Sequence, residues 1–225
     1  MVGAALGLVF NLLHPRGSGI DTSVEELELV ADSGIWLFDH FMIAWALGFS
    51  FLGLVAIARS FTGEAGESWG RLALGAAIGS IAISVLTVTV DGIAMKEVAD
   101  NWAEAGRGTD SSAFATADAV ANVSLALFTT VIGSLFGFTA TVFGIAGLVS
   151  DNYPKWLGFA ALVAGLVGFV AASIMFLSGP SDFATNILFA ISSFLYTVWL
   201  FASGWFLWQR AGTTQPDKET VAAAA

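Results

Sequence analysis

Five long stretches of the chain are almost free of charge, and polar loops separate them. Four run for about 22–26 residues each: Gly34–Ala58, Leu72–Met95, Leu157–Ser178 and Phe183–Trp208. The fifth covers roughly Ala119–Val149. About 20 residues at 1.5 Å rise cross a hydrocarbon core of about 30 Å, so each stretch is long enough to span a membrane as a helix. A sixth apolar stretch, Val2–Leu13, would cover only roughly 18 Å. It reads either as a half-span packed against its neighbours or, the preferred reading, as part of a longer first helix. No Lys or Arg precedes it and no small-residue cleavage site follows, so a signal peptide is not expected. The pattern predicts an all-α, polytopic transmembrane bundle of six helices, the first short or truncated, with both termini cytoplasmic. It forms one domain over residues 1–211, followed by a disordered cytoplasmic tail over 212–225.

The loops add orientation and two smaller elements. Arg59, Arg71, Lys155, Arg210 and Lys218 fall on one side if the spans alternate, and Arg16, Lys96 and Arg107 on the other. The first group belongs inside, because lysine and arginine near span ends mark the cytoplasmic face. Between His14-Pro15 and the second span, Ser23–Ala31 carries Val24, Leu27 and Val30 on one face, with Ser23 and Glu26 at capping-box spacing. It is expected to lie as an amphipathic helix at the outer surface. The polar, glycine-containing segment Glu97–Ser112 reads as a loop, and Ala113–Asn122 as the start of a helix that projects beyond the membrane.

Composition agrees and excludes several classes. Hydrophobic residues make up 56% of the chain and charged residues 12%, about half the charge share of a soluble domain. Mean hydropathy is +0.80. The absence of cysteine removes disulfides, thiolate metal sites, iron–sulfur clusters and cysteine nucleophiles. A net charge of −10 argues against a nucleic-acid partner. Most acids fall in the outer loops, either because the whole proteome is adapted to high salt or because this face must be acidic.

Candidate chemistry sits near the outer ends of the spans. Asp39-His40 lies about one and a half turns into the second helix, and Asp91 near the outer end of the third. A carboxylate in a bilayer costs several kcal/mol, so such residues face protein or water and find partners. His14 and Lys96 lie at the same level, and Asp118, Asn122 and Asn186 enter there from the fourth and sixth helices. Small and hydroxyl residues form stripes: Ser80, Ser84, Thr87 and Asp91; Asp39, Ala46, Ser50 and Gly53; Asn186, Ala190, Ser193, Thr197 and Gly204. These stripes, with Gly75-xxx-Gly79 and Gly133-xxx-Gly137, suit close helix packing or a polar pathway. The cluster suits a lock between helix ends, a cation site or a proton path. Two histidines exclude a multi-histidine di-iron site and a three-histidine zinc hydrolase. His14 and His40 leave open a metal or a bis-histidine haem, and no cofactor is specified. Lys96 is poorly placed for a retinal Schiff base. Phosphate-loop, serine-elbow and H-E-x-x-H motifs are absent, so an enzyme is not expected.

Tyr153-Pro-Lys-Trp-Leu-Gly158 with Val163-Ala-Gly165, and the apolar-acidic run Leu29–Asp39, resemble a broad family of uncharacterised six-helix bacterial and archaeal membrane proteins. That resemblance implies the layout and transfers no functional residue. The expectation is a multi-pass, non-catalytic protein of the cell membrane: an accessory subunit, or a module binding a small ligand or cation at the outer cluster. Its partners would be the lipid bilayer and a membrane protein or second copy. A proton- or cation-coupled small-solute transporter and a membrane metal or haem redox protein are the alternatives.

Overall fold

The computed structural model describes residues 1–15 and 23–213; Arg16 and the tail from residue 214 lie outside the described residues. Every regular element among them is helical. α1 covers Val2–Leu13 and α2 Ser23–Asp32. Five helices are long and apolar enough to cross a membrane: α3 Trp36–Ser60, α4 Glu64–Glu104, α5 Ser112–Val149, α6 Lys155–Ser178 and α7 Phe183–Gly212. The five charge-free stretches therefore each become a helix, and the sixth apolar stretch becomes the short α1, packed against α3 and α7.

The distribution of side chains is that of a protein in lipid. α3 turns Leu37, Phe38, Phe41, Trp45 and Leu52 outward, while Asp39, His40 and Ala46 are buried. Water would reverse that arrangement; hydrocarbon removes the penalty for the outer face and leaves small residues to bring backbones together. The α5–α6 seam shows how closely they approach. A Cβ on Gly165 would stand 2.5 Å from the Thr141 nitrogen, and one on Gly144 2.5 Å from the Leu162 nitrogen. Gly133 and Gly137 face Ala172 and Phe169 of α6, as their spacing predicts. Gly75 and Gly79 do not pack against the described residues: nothing among these lies within 4 Å of either added Cβ.

Three expectations change. Residues Glu97–Glu104 are not loop: α4 runs unbroken for 41 residues, roughly 60 Å, well beyond a bilayer. Met95, Ala99 and Trp102 recur at helical spacing and pack on Leu27 and Val30 of α2 and Ala117 and Ala121 of α5. This small three-helix cap rises at the end of the bundle that holds most of the acids. A short turn closes it, with Gly106 and Arg107 at φ 91° and 57°, and Arg107 pairs with Asp32 (2.6 Å) and Glu28 (4.0 Å). Ser23 does not act through a capping box; its hydroxyl donates to Asp118 across the cap. On α7 the buried face is Ser192, Tyr196, Trp199 and Ser203, not the Asn186–Gly204 stripe. Ser193 and Thr197 satisfy themselves on carbonyls of their own helix, which leaves the large aromatics to fill the interior.

Candidate functional site

The site forms where α1 ends, α3 begins and α4 leaves the bundle. α1 delivers His14, whose Nδ1 lies 2.8 Å from Asp39 Oδ2. One residue further along α3, His40 spans two acceptors: the Trp36 carbonyl at 2.8 Å from Nδ1, and Asp91 Oδ2 at 2.9 Å from Nε2. The Ser124 hydroxyl of α5 donates to Asp91 Oδ1 at 3.0 Å, and the Trp36 indole N–H to the Asp91 carbonyl at 2.9 Å. The Trp36 ring stacks at 4.6 Å on His40 and 5.1 Å on His14. Two His–Asp pairs from three helices thus stand side by side under one indole.

Local backbone features bring this about. Asp91 lies in a π turn, Val90–Ala94, inside α4, a distortion that re-aims side chains and recurs at functional sites. Gly92 lets α4 close on α3, since a Cβ there would lie 2.7 Å from the His40 Cβ. A carbonyl can only accept, so His40 Nδ1 carries a proton. The bond to Asp91 then needs a second proton, on Nε2 or on the carboxyl. The pair therefore holds one proton between its members and is neutral as a unit.

Asp39 is different. It is 1% exposed, and its Oδ1 has no hydrogen-bond partner among the described residues. A buried carboxylate oxygen left unpaired is costly, and native proteins leave few. His14, Asp39 and His40 each offer one donor atom within 4.8 Å of the others. Glu26 of α2 stands above this group. Its side chain is exposed, yet the protein beneath it displaces enough water to raise its carboxyl above the usual 4.5, and the Asp91 charge adds to that.

Of the eight residues singled out in the sequence, four converge: His14, Asp39, His40 and Asp91. Lys96 turns to Asp100 and the Ala31 carbonyl instead. Asp118 serves Ser23 and Asn122, and Asn186 bonds Asp182 on the exposed side of α7. Trp36, Gly92 and Ser124 belong to the site and were not among the candidates. The position of Trp36 one helical turn before His40 was an available signal; nothing distinguished Ser124 from other small residues.

The geometry limits the chemistry. The Ser124 hydroxyl donates to the Asp91 carboxylate and not to an imidazole, so it does not stand in the serine–histidine order of an activated nucleophile. The His14 and His40 rings meet edge to face at 5.0 Å and 68°. An axial pair approaches iron from opposite faces of a flat macrocycle, and rings already in contact leave no slot for one.

Fold and site together define a helical, membrane-type bundle with an ionisable cluster at its acidic end. No protein-family model matches the chain, and neither does any curated protein or solved structure.

Proposed function

We propose that this protein is a non-catalytic, multi-pass protein of the cell membrane that binds a small cation at its outward-facing acidic end, as an accessory subunit or a free-standing binding module. The observation that carries the reading is the Asp39 carboxylate, buried, with one oxygen on His14 and the other without a partner among the described residues. A lock between helix ends has no use for that second oxygen; a cation site has. The acidic cap concentrates cations at the mouth. Basic residues at the opposite end give the orientation, and the likeness of Tyr153–Gly158 and Leu29–Asp39 to the six-helix family fits the layout.

Binding is preferred over transport because the hydroxyl stripe below the site is occupied. Ser84 and Thr87 donate to carbonyls of α4, and Ser80 pairs with Thr139 at 2.8 Å. An open apolar groove of about 520 Å³ lies on the flank between Val90, Ala94, Ala119 and Val123, not along the bundle axis.

Calorimetric titration of the chelator-treated protein with Na⁺, Ca²⁺ and Zn²⁺ tests the reading. It predicts saturable binding of at least one ion, lost in Asp39→Asn. Equal binding by the variant would contradict it.

A further inference from the structure

We infer that the ion is a divalent transition metal of the zinc type, held by one nitrogen of His14, one nitrogen of His40 and the Asp39 carboxylate. This rests on the cation-binding reading and narrows it.

The donor set makes the selection. Calcium takes six to eight oxygens and magnesium a near-octahedral oxygen shell. Two imidazoles and one carboxylate suit zinc, copper, nickel or cobalt, and three protein ligands leave a fourth position for water. The His14–Asp39 spacing is close to what such an ion needs, and a donor atom of His40 stands within 4.8 Å of both. His14 Nδ1 and Asp39 Oδ2 are 2.8 Å apart with a proton between them. Ligands at about 2.0–2.2 Å and a tetrahedral angle stand about 3.3 Å apart, so an ion replaces that proton after an opening of about half an ångström. Asp39 Oδ1, without a partner among the described residues, is available to share the ion.

His40 comes with its outer shell in place. Its nitrogens already face a carboxylate and a backbone carbonyl. The nitrogen that turns to the ion gives up one of these; the other keeps its acceptor, which fixes tautomer and ring plane. Asp91, anchored by Ser124, supplies the second negative charge that with Asp39 balances a divalent ion. Of the three ligands, His14 is the one that reaches the surface, its side chain 25% exposed.

The test uses the full-length protein, chelated and then titrated with Co²⁺ while the visible spectrum is recorded, with Zn²⁺ and Ca²⁺ as competitors. One equivalent of Co²⁺ should give an intense visible band that Zn²⁺ abolishes and millimolar Ca²⁺ does not. His14→Ala should weaken Co²⁺ by ~100-fold or more, and Asp91→Asn by about 10–100-fold, as loss of an outer-shell partner does. Each variant is compared at unchanged helical content, and Asp182→Asn should bind as the parent does. No saturable band, with Na⁺ or Ca²⁺ still bound through Asp39, overturns the metal assignment alone. No binding of any cation overturns the broader reading as well.

Discussion

The two ends of this bundle are fastened in different ways. At the end away from the cap, the side chains that join the helices are neutral, and Lys155 and Arg210 close the arrangement on the Ser150 and Asn152 carbonyls. The Thr62 N–H donates to Ser150 Oγ at 3.0 Å, Ser150 Oγ to Asn152 Oδ1 at 2.9 Å, and Asn152 Nδ2 to the Ser60 carbonyl at 3.0 Å. Tyr153 donates to Ser203, and burial pushes its phenol up to about 12 against the opposing pull of Ser203 and Trp199, so it stays neutral. The acidic end uses ionisable groups, and leaves one buried carboxylate oxygen without a partner among the described residues. A simple lock favours the first solution, because neutral side chains carry no charge that must be desolvated. The second solution is the cost expected of the proposed cation site.

Substitutions at the two ends should therefore behave differently. The largest effect is expected from Asp91→Ala, which removes the partner of both His40 and Ser124. Charge-assisted hydrogen bonds are worth about 1.5–3 kcal/mol, so melting should fall accordingly and cation binding should collapse with it. Gly92→Ala drives a methyl into His40, an overpacking penalty of about 1–3 kcal/mol, again with loss of cation response. Tyr153→Phe at the far end loses a neutral hydrogen bond, about 1 kcal/mol, and should leave the cation response intact. Equal loss of cation response in Tyr153→Phe and Gly92→Ala would erase the distinction.

The smallest effects are pH-dependent and separate two acids within the cap. The hydrogen bond from Arg107 holds the Asp32 carboxyl below its usual 3.8, with the Arg107 and Lys96 charges assisting. Its contribution is thus present above that pH and lost as pH falls through the lowered value. Glu26 runs the other way. Its raised value favours the folded state most below 4.5, and that advantage is lost as pH rises through the raised value. Glu26→Gln should raise the melting temperature slightly at pH 7 and not at pH 4, whereas Arg107→Gln should lower it slightly at pH 7 and not at pH 2. Melting curves of both variants across pH check the signs.

Depth was readable from the sequence and azimuth was not. Run length and charge placed the five long helices and put all eight candidate residues near one end. Which side of its helix each residue occupies depends on packing and on π turns that no local pattern announces, so Lys96, Asp118, Asn122 and Asn186 turned elsewhere. The Glu97–Glu104 segment was misread because charge and a nearby Gly106 look like a loop. Its Met95-Ala99-Trp102 spacing, a helical signal, makes sense only with α2 and α5 beside it. The unpaired oxygen of Asp39 has no counterpart in sequence at all, since it arises from where three helices meet.

The most direct test of the central claim is thermal melting of the parent and of Asp39→Asn, each with chelator and with added Zn²⁺. If the acidic end is a binding site, the parent gains stability with Zn²⁺, and Asp39→Asn without metal melts at or above the parent but gains nothing from the ion. If Asp39→Asn melts well below the parent without metal and Zn²⁺ shifts neither protein, the cluster is a lock and the account is wrong.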